Sequence, residues 1–144
     1  MRKFLLTSFM ALLLALTGIT AAFAEELSFD EIYSGYQDGG LVFSDKVASL
    51  EGGQVTMQGY MAPPLTPTIH FFVLTAVPMS ICPFCNSDAD WPEDIVVVKV
   101  NEPITALPYD TPITVTGTLE TGSETDEETG FVSQLRINAD SITG

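Results

Sequence analysis

The chain reads as a mostly β protein: a small five-stranded antiparallel barrel of the oligonucleotide/oligosaccharide-binding type, with a short N-terminal helix. Three observations predict this. From Gln54 onward the apolar residues recur with period two, as they do on a pleated strand. The segments so marked are rich in β-branched and aromatic residues and are bounded by Pro, Gly and Asp. Five such segments fit into about 90 residues with no long helical pattern between them, which favours closing one sheet over alternating strands with helices. An open β-sandwich satisfies the same periodicity, because strand order is not written in it.

The first 24 residues stand apart from that domain. Arg2 and Lys3 precede an apolar run from Phe4 to Ile19, and Ala22-Phe23-Ala24 has the small-x-small form of a cleavage site. The run is short for a spanning helix. The segment therefore reads as a signal peptide, with the mature protein starting at Glu25 in the periplasm and keeping no stable membrane anchor. No cysteine follows the run to accept a lipid. Residues 25–144 are enough for one domain with one core.

Along that domain, Ser28 is a suitable N-cap, with Glu31 at the capping-box offset, and a short helix is expected to end near Ser34-Gly35. Asp38-Gly39-Gly40 is a turn signal. Leu41, Phe43, Val47 and Leu50 then point to the core before Gly52-Gly53 interrupts the chain. In "QVTMQGYM" the residues Val55, Met57 and Met61 share a face. "IHFFVLTA", Ile69 to Ala76, is apolar on both faces and reads as a central strand. "IVVVKV" (95–100), "ITVTGTL" (113–119) and "FVSQLRINAD" (131–140) complete the set. Ile113, Val115 and Leu119 face inward in one, and Phe131, Leu135 and Ile137 share a side in the other. Gly59 and Gly117 lie inside strands, where they suit bulges or tight bends. The acidic run from Glu120 to Gly130 has the composition of a calcium loop without its ligand spacing, and reads as a solvated hairpin tip.

Charge narrows the function. After residue 24 the chain has 19 acidic residues against three basic ones, Lys46, Lys99 and Arg136. A surface this acidic repels phosphate backbones, which excludes nucleic acid as a partner. No Gly-x-Ser-x-Gly nucleophile motif is present and a triad would have to use the single histidine, His70, so no hydrolytic enzyme is legible.

The chemistry concentrates in "SICPFCNSDADWPED", which holds the only two cysteines, Cys82 and Cys85. Cys-Pro-Phe-Cys looks like a glutaredoxin-type active site, where a helix N-terminus lowers the thiol pKa. Here turn-forming residues and Pro92 follow Cys85 too soon for a helix, and the nearby carboxylates raise a thiol pKa. A thiol–disulfide protein is thus the minor reading. A structural disulfide suits an oxidising compartment, although so short a loop gains little by entropy. The third reading is a metal site, since two thiolates at this spacing are half of a tetrahedral zinc site. Asp88, Asp90, Glu93 and Asp94 are oxygen donors in the same loop, and Met79 would make a soft set suited to monovalent copper. His70 sits near the start of its strand, about 20 Å of chain before that strand's end, which argues against ligation. Phe84 and Trp91 flank the cysteines, either as a mini-core of the loop or as a contact for a partner.

Three stretches carry a further signal: "LEGGQVTMQGYMAPP", "HFFVLTAVPMSICPFC", and "PITVTGTLETG" with "GFVSQLRINAD" downstream. Together they resemble a family of small exported bacterial proteins classed as a domain of unknown function. The glycine–tyrosine–methionine–proline turn at Gly59, Tyr60, Met61 and Pro63 is the most specific part. Some members of that family are encoded beside ABC-transporter genes under zinc control. The resemblance implies a barrel-type domain and a periplasmic accessory role in metal acquisition, with components of an ABC transport system as partners. Cys82 and Cys85 match the family's loop. No ligand set comes with the resemblance.

Overall fold

The first ordered strand is only two residues long, β1 (Glu25–Glu26), and it runs parallel to the strand that begins the main sheet. The computed structural model describes residues 23–64, 68–81 and 91–144. Cys82, Phe84, Cys85, Asp88 and Asp90, and all but the end of the expected signal peptide, lie outside the described residues.

The predicted N-terminal helix is a single 3₁₀ turn, Phe29–Glu31, and does not reach Ser34. Its start is as expected: the Ser28 amide donates to the Glu31 carboxylate at 3.1 Å. Its continuation is blocked because the next carbonyls are already taken. Ser44 donates through its hydroxyl to the Glu31 carbonyl at 2.6 Å and through its amide to the Ile32 carbonyl at 2.8 Å. Ile32 itself is fully buried, so the chain turns inward there and leaves as a strand.

That strand, β2 (Tyr33–Gln37), pairs antiparallel with β3 (Gly40–Phe43) in a separate two-stranded sheet. The Asp38-Gly39 signal is a two-residue turn with both φ angles positive, 49° and 85°, the geometry that matches strand twist in a hairpin. Ser44 then caps α1 (Asp45–Leu50) by accepting from the Val47 amide at 3.2 Å. Val47 and Leu50 are buried, as their pattern predicts, but the helix carrying them was not foreseen.

Five longer strands build the body: β4 (Gln54–Met61), β5 (Thr68–Thr75), β6 (Ile95–Thr105), β7 (Pro112–Thr125) and β8 (Val132–Thr143). Hydrogen-bonded neighbours run β1-β4-β5-β6-β8-β7, and β7 pairs again with β4 from Gln54 to Tyr60. The sheet thus returns on itself. Two features depart from the expected five antiparallel strands. β1 adds a sixth strand, and β6 lies parallel to β8 from Val97 to Val100. The join between β4 and β5 is the shortest of the circuit, limited to Tyr60 opposite Thr75 and Met61 opposite Leu74. A layered, sandwich-like description remains compatible with this arrangement.

Burial follows the alternation read from the sequence. Val55, Met57 and Met61 of β4, Ile113, Val115 and Leu119 of β7, and Leu135 and Ile137 of β8 fill one core with Phe72, Leu74, Val96 and Val98. Each such side chain contributes about 1.5–3 kcal/mol by leaving water. Val73 and Val97 face a second, smaller cluster with Ile95, Ala62 and Phe131, so β5 is apolar on both faces, as expected. Phe131 therefore parts from Leu135 and Ile137, packing at 5.7 Å from Phe71 instead. Gly117 marks a bulge: Thr116 is opposite Ser141 and Gly117 opposite Ala139, so Asp140 is the extra residue on β8, and a Cβ at Gly117 would clash with the Asn138 carbonyl oxygen.

Candidate functional site

The cysteine segment leaves from the end of β5 and returns at the start of β6, and both stems are tied. Thr75 is buried and its hydroxyl donates to the Val77 carbonyl at 2.7 Å. The Ala76 amide donates to the Asp94 carbonyl at 3.1 Å, closing the base just before Ile95 enters β6. Beyond this base the outgoing stem turns to solvent: Val77 and Ile81 are exposed, at 53% and 75% of their surface, while Met79 is half-buried.

The returning stem is held by the N-terminal hairpin. Trp91 is half-buried against both hydrophobic clusters, and its indole N–H donates to the Tyr33 hydroxyl at 2.7 Å. Tyr33 in turn stacks on Phe43, ring centres 5.3 Å apart. Burial pushes the Tyr33 phenol pKa up; the Trp91 hydrogen bond opposes this and the Glu93 charge adds to it. The Tyr36 phenol is raised by desolvation and by its hydrogen bond with the Glu93 carboxylate. The hairpin thus reaches two residues of the cysteine segment's exit, one through an apolar body with a polar tip and one through a carboxylate.

Of the candidates read from the sequence, Met79, Trp91, Glu93 and Asp94 gather at this end of the molecule. Trp91 points into packing, as a mini-core residue would. His70 is exposed near the start of β5, and Thr75 at the segment's base is five residues on, about 17 Å along an extended strand. It is not part of the same cluster. Among the described residues no group of three or more His, Cys, Asp or Glu side chains is gathered as a metal site. Tyr33, Tyr36 and Phe43 were missed as site residues. Their signal was the aromatic spacing on either side of the Asp-Gly turn, which marks a hairpin but not what the hairpin touches.

A second charged cluster lies along β6, β7 and β8. Arg136 is buried at 4% exposure and its guanidinium donates to the Gly122 carbonyl at 2.7 Å and to the Ser133 hydroxyl at 3.0 Å. Its Nε stands 3.3 Å from Glu124 and 3.5 Å from Glu120 without a well-directed hydrogen bond. Lys99 pairs with Glu124, holding that carboxyl below its ordinary range. Lys46 pairs with Glu31 at 2.8 Å, and chiefly this hydrogen bond brings the Glu31 pKa down to about 2. All three basic residues after residue 24 are therefore matched, and the remaining acidic residues carry an unbalanced negative field.

No family model matches the chain, and no curated protein matches it. Among solved structures it is similar to the crystal structure of a DUF3299 family protein from Pseudomonas aeruginosa PAO1. The two share 17% sequence identity with a TM-score of 0.53, over 84% of this chain and 95% of that one. At that identity the likeness concerns the fold, and it is consistent with a family of unknown function.

Proposed function

We propose that this chain is an exported, non-catalytic accessory protein of a metal-transport system, binding zinc through Cys82 and Cys85. The strand circuit supports a binding-module body. Counting β4 to β8 as one to five, the order is one, two, three, five, four and back to one, with three and five parallel. This circuit supports the reading as a barrel of the oligonucleotide/oligosaccharide-binding type, with β1, the hairpin and α1 as additions at its start. The observation that carries the reading is the double anchoring of the cysteine segment, by Ala76 to Asp94 and by Trp91 to Tyr33. A binding loop with both ends fixed loses less freedom when it closes on a ligand.

The donors suit the metal. Two thiolates supply half of a tetrahedral zinc shell, and oxygen donors from Asp88, Asp90 or Glu93 can complete it. Glu93 is the described one, at the segment's exit. Copper, held by Met79 with the thiolates, is the softer alternative. The anionic surface raises the local cation concentration around such a site. Delivery to an ABC transport system would use the same exposed end.

The test is zinc retention by the exported protein, purified reduced and oxidised. The proposal expects zinc held by the reduced protein, lost on Cys82→Ser and on Cys85→Ser. A fully oxidised pair that takes up no zinc after reduction overturns it in favour of a structural disulfide. A pair that equilibrates readily with glutathione would instead indicate thiol–disulfide exchange.

A further inference from the structure

The bond between Ala24 and Glu25, where the small-x-small pattern places the end of the leader, is also the point at which the chain joins the sheet. Phe23 is exposed at 91% of its surface and Ala24 is half-buried. β1 begins at the next residue, with Glu25 opposite Val55 and Glu26 opposite Thr56. Val55 and Thr56 also pair with Gly117 and Thr116 of β7, so β1 occupies the other edge of β4. No spacer separates the bond from the fold.

The residues just after the bond are held by more than these two pairs. The Leu27 amide donates to the Thr56 carbonyl at 3.0 Å, and the Leu27 side chain is buried. It lies in the main core with Ile32, Val47 and Val55. Beyond it the Ser28 amide donates to the Glu31 carboxylate, and Ile32 takes the chain inward. Freeing residues 25–27 therefore withdraws a core side chain from its packing, which is a larger event than the fraying of a loose end.

A protease holds its substrate extended through residues on both sides of the scissile bond, and backbone already paired in a sheet is not free for that. On the leader side, Ala22 and Ala24 are the small residues that a signal peptidase reads. On the other side, Glu25, Glu26 and Leu27 are committed to β4 and the core. One chain does not meet both demands at once.

We infer that the leader is removed before β1 docks, and that folding closes the Ala24–Glu25 bond to the membrane signal peptidase. In the cut, water adds to the Ala24 carbonyl carbon and the C–N bond to Glu25 breaks. The products are an Ala24 carboxylate and a Glu25 ammonium, and no other reactant is consumed. A precursor that folds first keeps its apolar run from Phe4 to Ile19 and its attachment to the membrane. The inference rests on reading the first 24 residues as a signal peptide and is independent of zinc binding at Cys82 and Cys85.

The test follows cleavage of the full chain, residues 1–144, by a membrane signal peptidase in detergent. Urea is set just below and just above the unfolding midpoint, located by circular dichroism, and the product mass identifies the bond cut. A control variant carries four Gly and Ser residues between Ala24 and Glu25, which moves the bond off the sheet and leaves β1 able to dock. The wild-type rate is expected to rise about tenfold or more across the midpoint, because cutting then follows the population of the open form. The spacer variant, in the same urea, is expected to be cut at nearly equal rates on both sides. Wild-type rates that match across the midpoint overturn the inference, and so does a spacer variant showing the same jump as wild type. An unfolded chain that is not cut after Ala24 overturns the signal-peptide reading itself, and the inference with it.

Discussion

Tyr33→Phe isolates the tie between the hairpin and the exit of the cysteine segment. The substitution removes one hydroxyl and keeps the ring, so the stack on Phe43 at 5.3 Å should survive. What is lost is the acceptor for the Trp91 indole N–H, now 2.7 Å away. A hydrogen bond of this kind contributes about 0.5–1.5 kcal/mol net, and leaving the N–H half-buried without a partner moves the cost to the upper part of that range. For a domain of this size, about 1 kcal/mol lowers the melting temperature by about 3–5 °C. Trp91 is the only tryptophan, so emission reports its surroundings, the Tyr33 bond and the packing beside it, and no other part of the chain. In wild type, urea unfolding followed by emission and by far-ultraviolet circular dichroism should coincide. In Tyr33→Phe the emission should shift at lower urea than the dichroism, because the segment's exit loosens before the barrel does. Unchanged midpoints with coincident curves would refute the idea that the hairpin anchors this segment.

Other expectations follow from single contacts. Gly117→Ala should destabilise by about 2 kcal/mol or more in chemical denaturation, because its Cβ would press on the Asn138 carbonyl, backbone that cannot swing away. Arg136→Met should cost about 1–3 kcal/mol, because it removes the bonds that a buried guanidinium makes to the Gly122 carbonyl and the Ser133 hydroxyl. Glu31 has its pKa lowered to about 2, so its stabilisation is present above its unfolded value near 4.5 and fades as the pH falls from there towards 2. Acid titration of Glu31→Gln should show a shallower loss over that window than wild type, and added salt should narrow the difference, since the Lys46 pair is exposed.

Much of the body was legible because alternation is a local signal. β4 to β8 all lie where the period-two segments predicted them, and the buried sets at Val55/Met57/Met61 and Ile113/Val115/Leu119 follow from that period. The Asp38-Gly39 turn was legible because few residues tolerate positive φ. The N-terminal region was harder. The Ser28 and Glu31 capping pattern does start a helix, yet it stops after one 3₁₀ turn, because Ser44, thirteen residues from Glu31, takes the carbonyls that its continuation needs. No local propensity encodes such a contact. The parallel pairing of β6 with β8 is equally invisible in one sequence, as periodicity fixes a strand's faces and not its neighbours. At the site, the chemistry of Cys82 and Cys85 could be read from residue type and spacing. The bond from Trp91, at the segment's exit, to Tyr33, fifty-eight residues upstream, could not.

The most direct test of the zinc proposal is a cobalt(II) titration of the fully reduced protein, read by absorption. Cysteine ligation predicts a near-ultraviolet thiolate-to-cobalt band, with visible bands of tetrahedral intensity. Both should saturate at one equivalent, vanish on adding zinc, and be absent in Cys82→Ser. A reduced protein giving only the weak spectrum of hydrated cobalt would contradict it.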